Sequence, residues 1–423
     1  MSGGKASGMV NRGNELGDRE QQHFRVVVVV CSDFRAGDGF TARVSQMAEA
    51  LAAQGHNVRG LWCAPLLSVL RGRRPTAAGH LQWSVLPMLP ACRLKLFRLF
   101  SETVTAFLVW LWCVLHRIDV VQAEEPRAAR LALMSLRPVI MDVHGDAISE
   151  TELGIRLGRY EAWAGEYAAV EERVAVKRAS GLICVSHALR TLLERRYGRL
   201  PKTGILPCLV DISRFTTARH RRGEHRRQHG WEDRFVVCYL GGLSAWQNVP
   251  AMIDLVATLR RYRPSVVLLL ITQDDVRPLQ KYLSAVGEEG IAYSCISALP
   301  TEVPGLLSMA DLGCLLRSNS TINAVASPTK CGEYLAAGVP VLTTQHAGDA
   351  AAIVAAQGVG LVLGDTTPTA DELASLVSMI DHVERHRALW CEKCHAAAEA
   401  YRSTKTTRAA VSLTYAHLQK TTA

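Results

Sequence analysis

Short apolar segments alternate with helical segments along most of the chain. In the first half, the apolar segments are a few residues long and rich in β-branched residues, as buried parallel strands are. They predict strands at Phe24–Cys31, Asn57–Cys63, Asp119–Gln122, Val139–Val143, Gly181–Val185 and Thr203–Leu206. Helical patterns separate them, so the first half is predicted to be built from βαβ units.

A polar segment, Asp211 to Asp233, interrupts this alternation and has RHRRGEHRRQHGWED at its centre. Its composition favours a linker or a surface loop. A second alternating set follows, with strands predicted at Phe235–Leu240, Ser265–Ile271, Ile291–Ser294, Leu312–Leu316, Val339–Thr343 and Val359–Leu363. From about Asp371 onward the pattern is helical.

Two alternating sets predict an α/β protein with two Rossmann-like parallel-sheet domains, because strand–helix–strand units form parallel sheets with right-handed crossovers. A length of 423 residues agrees with two domains of about 200 residues each. Ligands of such sheets bind beyond the carboxyl ends of the strands, so the two domains should face each other across a cleft. We assign residues 1–22 to a flexible tail, 23–210 to the first domain, 211–385 to the second, and 386–423 to C-terminal helices that pack back toward the first domain.

Composition indicates a globular protein of the cytosol. The first 22 residues are polar and lack the apolar core of a signal peptide. Twelve cysteines are scattered without a regular spacing, and a chain of this length does not need disulfide bonds for stability. We therefore expect free thiols and a cytoplasmic location.

The formal net charge of +9 is unevenly distributed. Leu51 to Ser101 contains seven basic and no acidic residues, and the apolar run Val104–Leu115 follows it. That run is shorter than the roughly 20 residues needed to span a membrane. Arg93, Lys95 and Arg98 alternate with leucine and phenylalanine, which predicts peripheral contact with an anionic membrane. A packed helix preceded by a solvated basic segment is the alternative, and no motif indicates nucleic-acid binding.

The segment SPTKCGEYLAAGVPV, residues 327–341, combines an anion site with a carboxylate. Ser327 suits a helix N-cap, and Gly338 suits the position just after the helix. Lys330 and Glu333 lie one turn apart and share a face. Amide groups at a helix start attract phosphate, and a carboxylate accepts hydrogen bonds from vicinal hydroxyls. A nucleotide sugar carries both groups.

Further motifs occur in a fixed order along the chain. They are a glycine loop (Gly37, Gly39), IMDVHGD (140–146), Glu171 with Ala179 and ICVSHALRTLLERRYG (183–198), LPCLVDISRF (206–215), YLGGLSAWQN (239–248), SPTKCGEYLAAGVPV and HAGDAAAIV (346–354). In these motifs the chain resembles the GT-B fold glycosyltransferases, in particular the retaining group called glycosyltransferase family 4. The resemblance extends from about Phe24 to the C-terminus.

The resemblance implies a donor site in the second domain and an acceptor site in the first. Donor-binding residues by this correspondence are Gly241, Gly242, Gln247, Arg317, Ser327, Thr329, Lys330 and Glu333, with Lys330 on the diphosphate and Glu333 on the ribose. Acceptor-side residues are Gly37, Asp38, Gly39, Phe40 and His144. The catalytic candidates are His144, Lys330 and Glu333. His144 follows the strand Val139–Val143 at its carboxyl end, where the cleft is expected.

Two features depart from the family pattern. The family usually carries two glutamates eight positions apart, but Val325 stands where the first would be. The family also often has a basic pair in the loop that corresponds to Gly241–Asn248, where this chain has Trp246 and Gln247. Lys330 is therefore expected to supply the positive charge that stabilises a leaving diphosphate.

Two other motifs match known binding patterns only formally. Gly37-x-Gly39-x-x-Ala42 matches a dinucleotide fingerprint, but no acidic residue ends the second predicted strand, so we expect this loop to face the acceptor instead of NAD. CEKCH at 391–395 has the spacing of a haem attachment site, but it falls inside a continuous helical pattern. We expect no metal and no cofactor.

The sequence thus predicts a glycosyltransferase that moves a sugar from a nucleotide diphosphate donor to an acceptor hydroxyl, with retention of configuration implied by the resemblance. Its partners would be a nucleotide sugar and a glycan or lipid-linked acceptor of polysaccharide or glycolipid synthesis, at an anionic membrane surface. Two alternatives remain open. One is a sugar-nucleotide epimerase, and the other is a non-catalytic GT-B module that binds a glycan or activates a partner.

Overall fold

A computed structural model describes residues 23–32, 34, 39–75, 81–88, 93–403, 407–416 and 418. The predicted flexible tail at 1–22 lies outside these residues, and so do Gly37 and Asp38.

The first domain is built on a seven-stranded parallel sheet. Its strands are β1 (Arg25–Val30), β2 (Asn57–Pro65), β3 (Trp83–Met88), β4 (Val120–Glu124), β5 (Val139–Val143), β6 (Gly181–Cys184) and β7 (Lys202–Ile205), in the order β3-β2-β1-β4-β5-β6-β7. Its helices are α1 (Gly39–Ala53), α2 (Leu66–Leu70), α3 (Lys95–Leu115), α4 (Glu125–Ala132), α5 (Ala147–Arg156), α6 (Trp163–Arg178) and α7 (His187–Tyr197). The run of five valines in β1 is fully buried because helices cover both faces of this sheet.

The second domain has a six-stranded parallel sheet. Its strands are β8 (Phe235–Leu240), β9 (Val266–Ile271), β10 (Tyr293–Ile296), β11 (Leu312–Leu315), β12 (Val341–Thr344) and β13 (Gly360–Leu363), in the order β10-β9-β8-β11-β12-β13. Its helices are α8 (Ile212–Arg219), α9 (Arg222–Gln228), α10 (Val249–Tyr262), α11 (Gln280–Val286), α12 (Val303–Leu307), α13 (Thr321–Ala324), α14 (Thr329–Ala336), α15 (Asp349–Gln357), α16 (Ala370–Arg385) and α17 (Arg387–Arg402). The prediction of two Rossmann-like α/β domains is confirmed.

Two local predictions need correction. The sequence did not indicate β3, which lies at the edge of the sheet and contains Pro87, a residue that edge strands tolerate. The interpretation of 211–233 as a linker or surface loop is wrong, because α8 and α9 occupy most of it. Phe215 is buried in the core of the second domain, and Arg226 is buried with Asp311 and nearby backbone carbonyls as partners. Pairing of this kind allows a polar sequence to fold against a core.

The C-terminal helices divide between the two domains. Helix α17 packs against α14 and α15 of the second domain. A further helix, α18 (Thr407–Tyr415), packs against α1, β6 and β7 of the first domain. The predicted return of the chain to the first domain therefore begins after Arg402, because 386–402 belongs to the second domain.

Helix α3 is the one described helix with the length and composition of a membrane span, although only 28% of its most apolar window is buried. It packs on the first domain through Ser101, Thr105, Ala106, Val109 and Cys113. By length and composition alone a core helix would pass the same test.

Candidate active site

The two domains meet where their strands end. Ser186, at the start of α7, donates a hydrogen bond of 2.6 Å to the carbonyl of Val325 in the second domain. At the start of α1, a Cβ built on Gly39 would lie 3.4 Å from Thr329 Oγ1. The amino ends of α1 and α14 therefore approach each other across the cleft, and Gly39 contacts the donor-side helix.

Helix α14 begins at Thr329 and has no side-chain N-cap, so the prediction that Ser327 caps it is wrong. The Ser327 hydroxyl instead accepts hydrogen bonds from the backbone N–H of Cys208 and from Arg402. The predicted end of the helix is confirmed, since Gly338 has φ +73° and its N–H donates to the carbonyl of Leu335.

Lys330 is buried, and its ammonium group points to the loop after β8. Its Nζ donates hydrogen bonds to Gln247 Oε1 at 2.7 Å and to the Tyr239 hydroxyl at 3.1 Å. Burial lowers the pKa of Lys330 well below its usual value, and the nearby Arg317 lowers it further. Gln247, which stands in the cation-free loop, is thus a partner that orients Lys330.

Arg317 follows β11 at its carboxyl end and is also buried. One guanidinium nitrogen donates to the carbonyl of Trp246 at 2.8 Å, while Nε has no partner within the described part of the chain. Burial lowers the pKa of Arg317 to about 10, so it remains charged at neutral pH. Among the described residues, the hydrogen-bond acceptors of Arg317 and Lys330 are neutral groups: the Trp246 carbonyl, the Gln247 amide and the Tyr239 hydroxyl. The two cations are close enough for Arg317 to lower the pKa of Lys330, so an anion would complement the pair.

Glu333 lies one turn after Lys330 and is partly buried. Burial raises the pKa of its carboxyl to about 7, although Lys330 and Arg214 act in the opposite direction. Among the described residues, none donates a hydrogen bond to this carboxylate. It is therefore available to accept hydrogen bonds from the hydroxyls of a ligand.

Two glycines follow β8, and the first of them, Gly241, lies beside Lys330. Gly241 has φ +126°, and a Cβ at this position would lie 2.9 Å from Lys330 Nζ. The carbonyl of Gly242 accepts a hydrogen bond from the Tyr239 hydroxyl at 2.5 Å. Glycine is favoured at 241 because side chains rarely adopt this backbone conformation, and a Cβ here would require the Lys330 ammonium group to shift.

Val325, which replaces the first family glutamate, is buried in the hydrophobic core of the first domain, together with Leu189 and Val185. It is 4% exposed and does not line the donor side of the cleft. The chain therefore uses this position to join the domains, and a carboxylate here would be buried among apolar side chains.

His144 belongs to a buried cluster of charged residues in the first domain. Its Nε2 lies 2.8 Å from Glu124 Oε2 and 3.0 Å from Asp142 Oδ2. Arg43 donates two hydrogen bonds of 2.7 Å to the same Asp142 carboxylate. Burial alone would lower the pKa of His144, but Asp142 and Glu124 outweigh it and raise the pKa to about 10. His144 is therefore an imidazolium at neutral pH, whereas burial and the Asp142 carboxylate raise the pKa of Glu124.

The cleft side of His144 is bordered by Phe40 and Glu125. The rings of Phe40 and His144 lie 5.3 Å apart, centroid to centroid. Glu125 has φ +72°, and its Oε1 lies 3.9 Å from His144 Nδ1. Its other carboxylate oxygen accepts a hydrogen bond from Ser32. A non-glycine residue in this backbone region is strained, and such strain is concentrated at functional sites.

Sequence reasoning missed Arg43, Glu124 and Glu125. Glu124 is the last residue of β4 and Glu125 follows it, so the rule that led to His144 after β5 would have found them. Arg43 carried no signal, because a lone arginine in an amphipathic helix is ordinarily solvated.

Glu124, Asp142 and His144 have ligand atoms within 4.8 Å of one another, close enough to hold a metal ion. The donor set does not fit one, because both oxygens of Asp142 are already bound by the Arg43 guanidinium. A divalent cation would stand beside that guanidinium and displace the imidazolium. The geometry favours the ion-paired histidine.

Two protein-family models match the chain. The family model described as Glycosyltransferase Family 4 matches residues 37–214, and the model described as Glycosyl transferases group 1 matches residues 221–395. No curated protein matches the chain significantly.

Three solved structures show the same fold over nearly the whole chain. HepE from Anabaena, in complex with UDP and glucose, is 18% identical, with 94% of this chain and 100% of that chain covered and a TM-score of 0.67. WaaG, a glycosyltransferase involved in lipopolysaccharide biosynthesis, is 18% identical over 92% and 99%, with a TM-score of 0.67. Sucrose-phosphate synthase from Thermosynechococcus elongatus is 15% identical over 93% and 98%, with a TM-score of 0.68.

The two family models lie end to end on the two Rossmann-like domains and together reach from residue 37 to residue 395. The chain belongs to the GT-B glycosyltransferases and is an enzyme of that family.

Proposed function

We propose that this enzyme binds a uridine diphosphate sugar in the second domain and transfers the sugar to an acceptor hydroxyl held by the first. The observation that carries the proposal is the pair of buried cations, Arg317 and Lys330, near the Glu333 carboxylate, which accepts no hydrogen bond from a described residue. UDP is the first candidate nucleotide because HepE, which has this fold, was solved with UDP and with UDP-glucose.

The electrostatics of the proposed donor site favour an anion of this kind. A buried cation without a counter-ion is unstable, and its depressed pKa reflects that cost. A diphosphate would supply the missing negative charge, and the charge that develops on it as the sugar leaves would be stabilised by Lys330 and Arg317. Glu333 would accept hydrogen bonds from the ribose hydroxyls.

The first domain would orient the acceptor and the sugar. With Nε2 held between Glu124 and Asp142, His144 has only Nδ1 left to donate a hydrogen bond toward the cleft. As an imidazolium it would act as a charged donor to a sugar or acceptor hydroxyl and not as a general base. Retention at the anomeric carbon is part of the proposal, because the family resemblance implies it.

The experiment is isothermal titration of the protein with UDP, GDP, ADP and dTDP, for the wild type and Lys330→Ala. One nucleotide should bind best, and its affinity should fall in the variant. Prior treatment with EDTA should leave that affinity unchanged, because the proposed site uses no metal. Absence of binding by every nucleotide would contradict the proposal and favour a non-catalytic module.

Release of UDP from UDP-glucose, with and without added bacterial lipid extract, separates transfer from epimerisation. A transferase should release UDP faster when an acceptor is present. An epimerase would convert the sugar and release no UDP.

We further propose that the enzyme is cytoplasmic and peripheral to a membrane, and that its acceptor is a lipid-linked glycan of polysaccharide or glycolipid synthesis. The support is the orientation of α3. Its buried face is small or polar, whereas its outer face, consisting of Leu96, Leu99, Phe100, Phe107, Val114 and Leu115, is 41% to 83% exposed. A helix of a soluble domain normally buries its apolar face.

Exposed cations lie at the start of α3 and directly after α2. They are Arg71, Arg73, Arg74, Arg93 and Lys95, with the exposed Leu67 and Leu70 of α2 among them. Arg98, which the sequence placed on this surface, lies instead over the rings of Trp163 and Tyr167, at 4.7 and 4.6 Å from their centroids. An apolar face with a basic border fits an anionic bilayer, while a symmetric second copy would bring like charges together.

The location of this surface agrees with a lipid-linked acceptor. β2 and β3 end side by side, with Pro65 paired to Met88, and α2 and α3 follow them at the carboxyl edge of the sheet. The acceptor side of the cleft opens at the same edge, where β4 and β5 end.

Flotation with vesicles of phosphatidylglycerol and phosphatidylcholine tests the membrane proposal. Binding should require phosphatidylglycerol and should fall about tenfold or more in Leu96→Ser/Phe100→Ser. The matched control is Ile291→Ser/Leu299→Ser, which removes two exposed apolar residues from the second domain. Unchanged flotation of the first variant, or a dimer in ultracentrifugation that this variant abolishes, would overturn the proposal.

A further inference from the structure

The chain passes from the first domain to the second through residues 206–210, here called the crossing segment. Its four carbonyls from 206 to 209 all accept hydrogen bonds from side chains. Arg43 donates to Leu206 O at 2.9 Å and to Pro207 O at 3.3 Å, and Gln46 donates to Leu209 O at 2.8 Å. From the first domain, α1 therefore fixes this segment at three points.

From the second domain, the crossing segment is fixed by Arg402, the last residue of α17. Its guanidinium donates to Cys208 O at 3.2 Å, to Ser327 Oγ at 2.5 Å and to Asp349 Oδ1 at 2.6 Å. Its own carbonyl accepts a hydrogen bond of 2.9 Å from the N–H of Val210. Arg402 is 0% exposed, and although burial acts against its charge, Asp349 keeps its pKa raised. Arg402 is thus a buried, charged residue that joins the crossing segment to the end of α17, where the chain returns to the first domain.

Helix α14, which carries Lys330 and Glu333, packs directly on Arg402 and the crossing segment. A Cβ at Gly332 would lie 3.0 Å from Val210 Cγ1 and 3.2 Å from Arg402 Cγ, so the helix approaches as closely as a glycine permits. Ser327, three residues before Lys330, is bound from both sides, by Arg402 and by the N–H of Cys208 at 3.1 Å. The start of α14 is therefore tied to the crossing segment.

The acceptor-side cluster is tied to the same segment. Arg43, which binds the carbonyls of Leu206 and Pro207, also holds both oxygens of Asp142, and Asp142 contacts His144. Hydrogen bonds thus run without interruption from His144 to the crossing segment and from that segment to Ser327. Arg43 forms the first half of this path, and Arg402 binds both Cys208 O and Ser327 Oγ in the second half.

We propose that Arg402 is a positioning residue for glycosyl transfer, which sets the distance and angle between the donor helix α14 and the His144 cluster. The proposal rests on the proposed function of the two sites. Arg402 does not line the donor site, whose residues Lys330, Arg317 and Glu333 all belong to the second domain. Loosening the junction should therefore disturb the alignment of the two domains and leave nucleotide binding intact. Misplacement of a reacting group by about 1 Å can lower a rate about 100-fold.

The test variant is Arg402→Lys, which retains the charge opposite Asp349 but cannot reproduce the fork of hydrogen bonds. The matched control is Arg387→Lys. Arg387 lies on the same helix and pairs with Asp311 and Ala310 O, away from the crossing segment. A second variant, Ser327→Ala, removes one partner of Arg402 without leaving a charge unpaired.

Three measurements are made on the full chain. They are the affinity for UDP, the rate of UDP release from UDP-glucose with bacterial lipid extract, and the distance between spin labels on the two domains. Labels at the exposed Glu152 and Asp254 are introduced through an unnatural amino acid. The described cysteines are free thiols and would also react with a thiol-specific label.

In Arg402→Lys we expect the affinity for UDP to stay within about twofold, the rate to fall about 10- to 100-fold, and the distance distribution to broaden. Ser327→Ala should change in the same direction by a smaller factor, and Arg387→Lys should match the wild type. The inference is overturned by an unchanged rate and distance distribution in Arg402→Lys. It is equally overturned if Arg387→Lys broadens the distribution as much, or if UDP affinity falls in parallel with the rate.

Failure of the proposed function would look different. In that case the wild type itself would bind no UDP and release none from UDP-glucose, while the label distances would still report whether Arg402 aligns the domains.

Discussion

Replacing Lys330 by methionine should greatly lower the affinity of the enzyme for UDP and leave its folding stability nearly unchanged. Methionine has a similar length and no charge, so the substitution removes a buried ammonium group whose pKa is already depressed. The loss comprises two hydrogen bonds, to Gln247 and Tyr239, each worth about 1 kcal/mol. The gain is relief from burying a cation without an ion-pair partner. These effects oppose each other, and we expect the free energy of unfolding to change by less than about 1 kcal/mol.

The affinity for UDP should respond far more strongly. A hydrogen bond to a charged group is worth about 1.5 to 3 kcal/mol, which corresponds to a loss of affinity of roughly 10- to 150-fold. The depressed pKa adds a second signature, because the diphosphate would stabilise the ammonium form of Lys330. When the wild type is titrated with UDP at a pH above the pKa that Lys330 has in the absence of UDP, binding should therefore take up a proton from the buffer. Lys330→Met should abolish this uptake.

The assay is calorimetric titration with UDP in two buffers of different ionisation enthalpy, together with chemical denaturation of each variant. Lys281→Met is the control, because it removes the same charge from an exposed position in the same domain. The reasoning is refuted if Lys330→Met binds UDP within about threefold of the wild type. It is also refuted if the lost affinity is matched by an equal loss of folding stability.

Three other predictions follow from the same contacts. Since burial raises the pKa of Glu333 to about 7, its carboxylate ionises as pH rises through 7 and accepts hydrogen bonds from the ribose more strongly; titrations from pH 6 to 8 should show an increase in the ratio of wild-type to Glu333→Gln affinity for UDP. Restoring the family glutamate by Val325→Glu should destabilise the protein by about 3 to 5 kcal/mol in denaturant titrations, because the carboxylate would be buried among apolar side chains, and a gain in activity at unchanged stability would contradict this. The His144 pKa of about 10 lies above its ordinary 6.5, so its contribution to stability is complete below pH 6.5 and disappears as pH rises through 10; the stability difference between wild type and His144→Gln should shrink over that range.

Much of the fold was predictable because hydrophobic periodicity reports directly on burial. The strands Val139–Val143 and Phe235–Leu240 are observed with the predicted bounds, since their residues are buried throughout and, apart from Asp142, largely apolar. The helices in 211–233 were not predictable from periodicity, because Arg226 is buried through an ion pair with Asp311 that is 85 residues distant in sequence. Burial by pairing leaves no local pattern.

The candidate site divides in the same way. Lys330, Glu333 and His144 were identifiable because a helix start and a strand end have local sequence signatures. The partners that determine their protonation were not, since Arg43 reaches Asp142 across 99 residues and Tyr239 reaches Lys330 across 91. The role of Ser327 was misassigned for the same reason: its position favoured a helix cap, whereas Arg402, 75 residues away, binds its hydroxyl.

The most direct test of the account is a crystal structure of the enzyme with UDP. The account predicts that a phosphate oxygen lies about 2.7 to 2.9 Å from Lys330 Nζ, that Arg317 faces the same diphosphate, and that the ribose hydroxyls donate to Glu333. Binding of UDP elsewhere, or in this cleft with the diphosphate turned away from Lys330, would contradict it.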